Sequence, residues 1–270
     1  MLSSSAVWRS SPNIRPKPVS QTDPASPVVL ITGAARRIGA TIAKHLHALN
    51  YRINIHYHGS VTEAEALADS LNQLRTDSAH TIRADLCDGQ AVQTLALQSI
   101  ERWGRMDALI NNASSFYPTP LPNASQQDWD DLFASNLKAP FFLSQALSEE
   151  LTKRGGAIVN IADIHARQPL RQHSIYCMAK AGNLMLTKTL ARELAPRVRV
   201  NGIAPGAILW PENEQSPEAS KHHGAMLNRV PLQRMGSPED IARLAAFLIT
   251  DAGYLTGQTI AVDGGKHLVA

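Results

Sequence analysis

From residue 28 onward, short apolar runs rich in β-branched residues alternate with longer stretches of helical character. The runs predict strands over 28–32, 52–56, 80–84, 108–111, 157–161, 199–203 and 259–262. The intervening stretches predict helices over 38–50, 62–75, 88–103, 126–153, 174–195 and 238–248. Several strands are almost continuously apolar, as strands buried on both faces of a sheet are. Such alternation builds right-handed βαβ units and a parallel sheet. The expected fold is therefore α/β: a single domain with a doubly wound parallel sheet of about seven strands and helices on both faces. Residues 210–223, with Pro211 and Pro217 and little apolar periodicity, break the rhythm after a late strand. A long irregular loop at the carboxyl edge of an α/β sheet reads as a substrate lid, spanning about 207–230. A solvated insertion is the other reading.

The composition narrows the picture. A chain of 270 residues, 44% hydrophobic and 18% charged, suits one large globular domain. A net charge of only +3 gives no reason to expect a nucleic-acid partner. No uncharged apolar run approaches the length of a membrane span. Two cysteines, Cys87 and Cys177, make no disulfide scaffold, so a reducing compartment, the cytoplasm, is expected. Residues 1–27 differ from the rest, with five prolines, seven serines and Asp23 as the single acid. They read as a disordered leader; an organelle transit peptide is the alternative.

Candidate chemistry begins at the first turn. Gly33 and Gly39 flank the passage from the first strand into the first helix, where glycine lets a pyrophosphate approach backbone N–H groups at a helix N-terminus. Arg37 stands there where many nucleotide turns keep a small residue. At the end of the second strand, where NAD sites usually place an acid, the chain reads His56-Tyr57-His58-Gly59-Ser60, with no acid before Glu63. With Arg36 nearby, this points to NADP(H). Asp85 follows the third strand, either to accept from an adenine amine or to cap the next helix. Asn111-Asn112-Ala113-Ser114 ends the fourth strand at the cofactor cleft. Asn136 sits mid-helix against its propensity, which suggests a hydrogen-bonding role. Tyr176 and Lys180, four apart, share a helix face thirteen residues after Asp163. A cation placed so can lower a phenol's pKa. His222-His223 have no evident third partner for a metal, and none is expected. Cys177 reads as a packing residue.

Thr32-Gly33-x-x-x-Arg37-x-Gly39, Asn111-Asn112-Ala113, Tyr176-x-x-x-Lys180 and Pro205-Gly206 together resemble the short-chain dehydrogenase/reductase family, from residue 28 nearly to the end. The likeness implies a Rossmann-like fold. More narrowly, Ala35-Arg36-Arg37-Ile38-Gly39, His56-Tyr57-His58, the run from Asn112 through Ser114, Ser115, Phe116 and Tyr117 to Pro118, and Asp163 resemble the pteridine reductases. In most of the wider family a serine holds the place of Asp163 and polarises a carbonyl. A carboxyl beside Tyr176 can instead carry a proton to a ring nitrogen, whereas next to a developing oxyanion it would be unfavourable. Phe116 would be a π platform for a pterin; ordinary core is its bland alternative.

The resemblance implies a cofactor set of Gly33, Arg36, Arg37, Ile38, Gly39, Tyr57, His58, Ser60, Asp85, Leu86, Asn112, Ala113, Ser114, Lys180, Pro205 and Gly206. Of these, His58 and Ser60 would flank the 2′-phosphate. Gly59 departs from the arginine of trypanosomatid pteridine reductases. The implied substrate contacts are Arg37, Ser114, Phe116, Asp163 and Tyr176. Tyr176 with Asp163 would protonate the ring. Lys180 would hold the nicotinamide ribose and lower the Tyr176 pKa, and Asn136 would anchor backbone and water near Lys180. The implied activity is NADPH-dependent reduction of a dihydropterin or dihydrofolate-type ring by a homotetramer built through 126–153 and 174–195. The rivals are a carbonyl reductase of the same fold, acting on a 3-oxoacyl thioester or quinone, and a non-catalytic NADP(H) sensor.

Overall fold

The computed structural model describes residues 25–208 and 227–269. Residues 1–24 of the expected leader, and residues 209–226 of the expected lid with His222 and His223, lie outside the described residues. Ala25 and Pro27, counted with the leader from sequence, are already tied to the domain. Arg105 Nη1 donates to the Ala25 carbonyl at 2.8 Å, and the Arg52 N–H donates to that of Pro27 at 2.8 Å.

Seven parallel strands form one sheet among the described residues: β1 Val28–Ile31, β2 Arg52–Tyr57, β3 Ala79–Arg83, β4 Ala108–Asn111, β5 Ala157–Ile161, β6 Arg199–Pro205 and β7 Thr259–Val262. Their order is β3-β2-β1-β4-β5-β6-β7. The order reverses between β1 and β4, and ligands of open α/β sheets bind at such a crevice. Helices α1 Arg37–Ala48, α2 Val61–Leu74 and α7 Pro238–Thr250 cover one face. Helices α3 Gly89–Glu101, α5 Ala139–Arg154 and α6 Ser174–Glu193 cover the other.

The two-residue period of a strand divides β1 between these layers. Val29 and Ile31 join Ile42, Leu46, Ile241 and Leu248 on one side. Val28 and Leu30 join Leu95, Leu143, Leu147 and Leu186 on the other. Every residue of β1 is fully buried, and burial of each such side chain contributes about 1.5–3 kcal/mol. Both faces being apolar is why the strand pattern in the sequence is a run rather than an alternation.

The expected helix over 126–153 is present, running to Arg154, but it carries a π-helical turn, Ala134–Lys138, between α4 Gln126–Phe133 and α5. Ser125 starts α4 by a capping box with Asp128, and Ser237 starts α7 likewise with Asp240. The interruption has a local cause in Pro140, the second residue of α5, which has no N–H for the preceding turn. Turns of this kind collect at functional sites. No helix among the described residues is long and apolar enough to cross a membrane.

Candidate active site

At the sheet reversal, β1 and β4 are fastened by Thr32. Its Oγ1 accepts from the N–H groups of Asn112 at 2.9 Å and Ala113 at 3.0 Å. Asn112 Nδ2 returns hydrogen bonds to the carbonyls of Thr32 at 2.8 Å and Gly33 at 3.1 Å. Gly33 takes a left-handed φ of 61°, with Ala113 Cα 3.0 Å from where a Cβ would stand. A Cβ on Gly39 would lie 2.4 Å from the Gly33 carbonyl oxygen and 2.7 Å from Asn112 Nδ2. Only glycine fits there. Arg37 also has a left-handed φ, 52°, uncommon for any residue that carries a Cβ and most easily met by glycine.

His56 is not an edge-strand polar residue. It is 2% exposed and bridges the turn to β3. Its Nδ1 accepts from the Gly33 N–H at 3.0 Å, which leaves Nε2 to donate to the Ala84 carbonyl at 3.2 Å. Burial pushes its pKa down to about 4, so it serves as a neutral brace. The following residues open into a cleft of about 740 Å³ that is lined by Arg36, Arg37, Ile38, Tyr57, His58, Gly59, Ser60, Asp85, Leu86, Asn112, Ala113 and Ser114. Asp85 does not cap α3, because Asp88 does so through the Gln90 N–H. One Asp85 oxygen accepts from the Cys87 N–H at 2.9 Å. Arg36 lies 3.5 Å from Glu63, a half-exposed pair worth about 0–1 kcal/mol and readily separated. Arg83 Nε donates to the His58 carbonyl at 3.2 Å and brings a second guanidinium to this end.

The inner end of the cleft is Ser114. Its hydroxyl donates to Asn136 Oδ1 at 2.7 Å. Asn136 belongs to the π-helical turn, and its Nδ2 donates to the carbonyls of Ser115 and Leu132, each at 2.9 Å. Beyond Ser114 lies the Tyr176 phenol, which donates to Asp163 Oδ2 at 2.7 Å. The other carboxylate oxygen accepts from the His165 N–H at 2.7 Å, which fixes the group at the start of the 3-10 turn Ile164–Ala166. Tyr176 is packed with Leu132, Ile175 and Cys177, so the cysteine has the packing place expected of it. Phe116 is 56% exposed, so it is not core. Its ring stacks on His173 at 4.7 Å and meets Tyr176 edge-on at 4.8 Å.

The electrostatics correct one expectation. The Tyr176 pKa is raised well above the ordinary phenol value: burial contributes most, the Asp163 charge next, and a hydrogen bond with Ser114 opposes them. Lys180 does not win this contest. It is fully buried, donates to the Ile161 carbonyl at 2.9 Å and stands 5.7 Å from the Tyr176 ring centre. Burial lowers its own pKa to about 8, against the opposing pull of Asp163. The arrangement is thus a protonated phenol aimed at a carboxylate, which suits proton donation. Pro205 ends β6 and Gly206 follows it, where a Gly206 Cβ would lie 2.6 Å from Asp263 Cβ.

Arg83 and Asn183 were not singled out in the sequence, and Thr32 and His56 stood there only as motif positions without a structural role. Along β2, Arg52, Asn54 and His56 alternate with apolar residues, and in a strand buried on both faces such polar residues are candidates for a buried brace. Arg83 is brought to His58 only by strand pairing.

A glycine cradle at the sheet reversal, leading to a buried tyrosine and lysine, defines a dinucleotide-dependent oxidoreductase of the doubly wound class. The family description "Enoyl-(Acyl carrier protein) reductase" matches residues 33–267. Pteridine reductase 1 of Leishmania tarentolae is 38% identical over 92% of this chain and 98% of its own length. The 3-oxoacyl-(acyl-carrier-protein) reductase FabG of Staphylococcus aureus is 36% identical, covering 88% of this chain and 97% of its own. That of Staphylococcus epidermidis is 37% identical over 88% and 98%. The chain belongs to the short-chain dehydrogenase/reductase family.

Replacing Asp163 by Asn removes the charge that raises the Tyr176 pKa. The phenol should then ionise at lower pH than in the wild type. Ultraviolet difference titration, with Tyr176→Phe as the blank, reads this directly; an unmoved or higher midpoint would show that Asp163 is not holding the proton.

Proposed function

We propose that this protein is an NADPH-dependent reductase of pterins, of dihydropterin or dihydrofolate type. The observation that carries the reading is the 2.7 Å hydrogen bond from Tyr176 to a carboxylate at position 163. Similarity to a pteridine reductase supports it. Gly33 and Gly39 leave room for a pyrophosphate at the start of α1, and the absence of an acid at the end of β2 favours NADPH. Arg36, His58, Ser60 and Arg83 would receive the 2′-phosphate. Bound in the cleft, the cofactor supplies a hydride.

The chain's own residues do the rest. The Tyr176–Asp163 pair holds a proton that passes to a ring nitrogen, and half-buried Asp163 lets solvent replace it. Lys180 keeps a positive charge beneath the phenol ring. Ser114 and Arg37 orient the bound ring, and the free face of Phe116 offers it stacking contact. Asn136 fixes Ser114. The second reading, a 3-oxoacyl reductase, is favoured by the FabG relatives.

A panel of dihydrobiopterin, dihydrofolate and an acetoacetyl thioester, run with NADPH and NADH, separates the two. The pterin reading expects NADPH oxidation with the first two and not the third; turnover of the thioester alone would replace it with the carbonyl reading. Tyr176→Phe should lose roughly 10²–10⁴-fold in turnover while keeping NADPH affinity. Asp163→Ser should lower pterin reduction, whereas on the carbonyl reading it should help.

We also propose a homotetramer built through α5 and α6. Phe141, Met178 and Met185 are 40%, 46% and 57% exposed, and an apolar groove of about 440 Å³ runs between the helices. Light scattering should give about four times 29.3 kDa. A monomeric mass would contradict this assembly.

A further inference from the structure

The π-helical turn poses a hydrogen-bonding problem. In an α-helix the N–H of residue 140 would bond the carbonyl of residue 136, but Pro140 has none. Asn136 is 1% exposed, and a buried carbonyl needs a donor. The donor is a side chain from another helix: Asn183 Nδ2, at 3.1 Å. Asn183 is itself 1% exposed and lies one helical turn after Lys180 on α6. Its own carbonyl accepts from Thr187 Oγ1 at 3.0 Å. Thr187 in turn accepts from Asn160 Nδ2 at 2.9 Å, so α6 is tied at this point to the sheet.

We infer that Asn183 is a positioning residue. By clamping the carbonyl that Pro140 leaves free, it holds the turn from which Asn136 reaches Ser114. A leucine there would complete the apolar face of α6 but leave the Asn136 carbonyl without its donor. An unclamped turn loses the 2.7 Å contact between Asn136 and Ser114, and with it the placement of the hydroxyl beside Tyr176. The inference rests on the reductase reading of the site, and not on which substrate is reduced.

The test uses full-length Asn183→Leu with two readouts. Amide hydrogen exchange over residues 134–138 should quicken about tenfold or more, since a lost buried hydrogen bond lowers the local opening energy. With dihydrobiopterin or the acetoacetyl thioester, whichever the wild type reduces, kcat should fall about tenfold while KM and NADPH affinity hold within about twofold. Asn183→Gln, which keeps an amide donor, should recover both. Exchange that does not change overturns the inference, as does faster exchange with unaltered kcat, or a rise in KM matching the fall in kcat. If Asn183→Leu fails to fold, Asn183→Ser, too short to reach the carbonyl, is read in the same way. If the wild type reduces neither compound, the reductase reading fails, and the exchange experiment alone still decides whether Asn183 holds the turn.

Discussion

A phenol, a carboxylate and an ammonium group share one largely buried corner of this protein, and a single hydrogen bond, Tyr176 to Asp163, reconciles them. Tyr176 is 4% and Lys180 2% exposed. Burial alone disfavours ionised phenol and charged amine alike. Donating a hydrogen bond to Asp163 keeps the phenol neutral, and the charge of Asp163 in turn helps keep Lys180 protonated. The carboxylate can sit there because a backbone N–H, that of His165, takes its second oxygen. A serine at position 163 would leave Tyr176 and Lys180 in a different balance.

The scaffold is arranged around that corner. Asp163 follows β5, Lys180 bonds the last carbonyl of β5, and Ser114 follows β4, so the sheet's carboxyl edge supplies all three anchors. Thr32 holds the end of β1 to the end of β4, which places the glycine turn beside Ser114. Underneath runs a line of buried amides, with Asn111 bonded to Asn160 at 2.8 Å and Asn160 to Thr187. Each polar group set among apolar neighbours there has to find a partner or lose about 1–3 kcal/mol.

What could be read from the sequence follows from where each signal resides. The strands were legible because burial on both faces writes an apolar run, and all seven expected strands are present with ends shifted by no more than two residues. The cradle was legible because its constraint is steric, and glycine is the answer wherever a Cβ would strike a backbone oxygen. The π-helical turn at 134–138 was not legible because its cause is one proline inside a stretch otherwise suited to helix, which does continue through it. The direction of the Tyr176 pKa was missed because spacing on a helix puts Lys180 on the right face without giving its hydrogen bond to Ile161 or the burial of the phenol. Phe116, open to solvent on one face, could be told from core only once its neighbours were placed. Substrate choice is less legible still: relatives at 36–38% identity carry pteridine and oxoacyl names alike.

The most direct measurement is proton magnetic resonance of the Tyr176 hydroxyl. A buried phenol proton held by a carboxylate exchanges slowly and resonates far downfield. The account predicts one such signal in the wild-type protein at neutral pH, lost in both Tyr176→Phe and Asp163→Asn. A wild-type spectrum without it, or a signal that survives removal of the Asp163 charge unshifted, would contradict the claim that these two side chains share a proton.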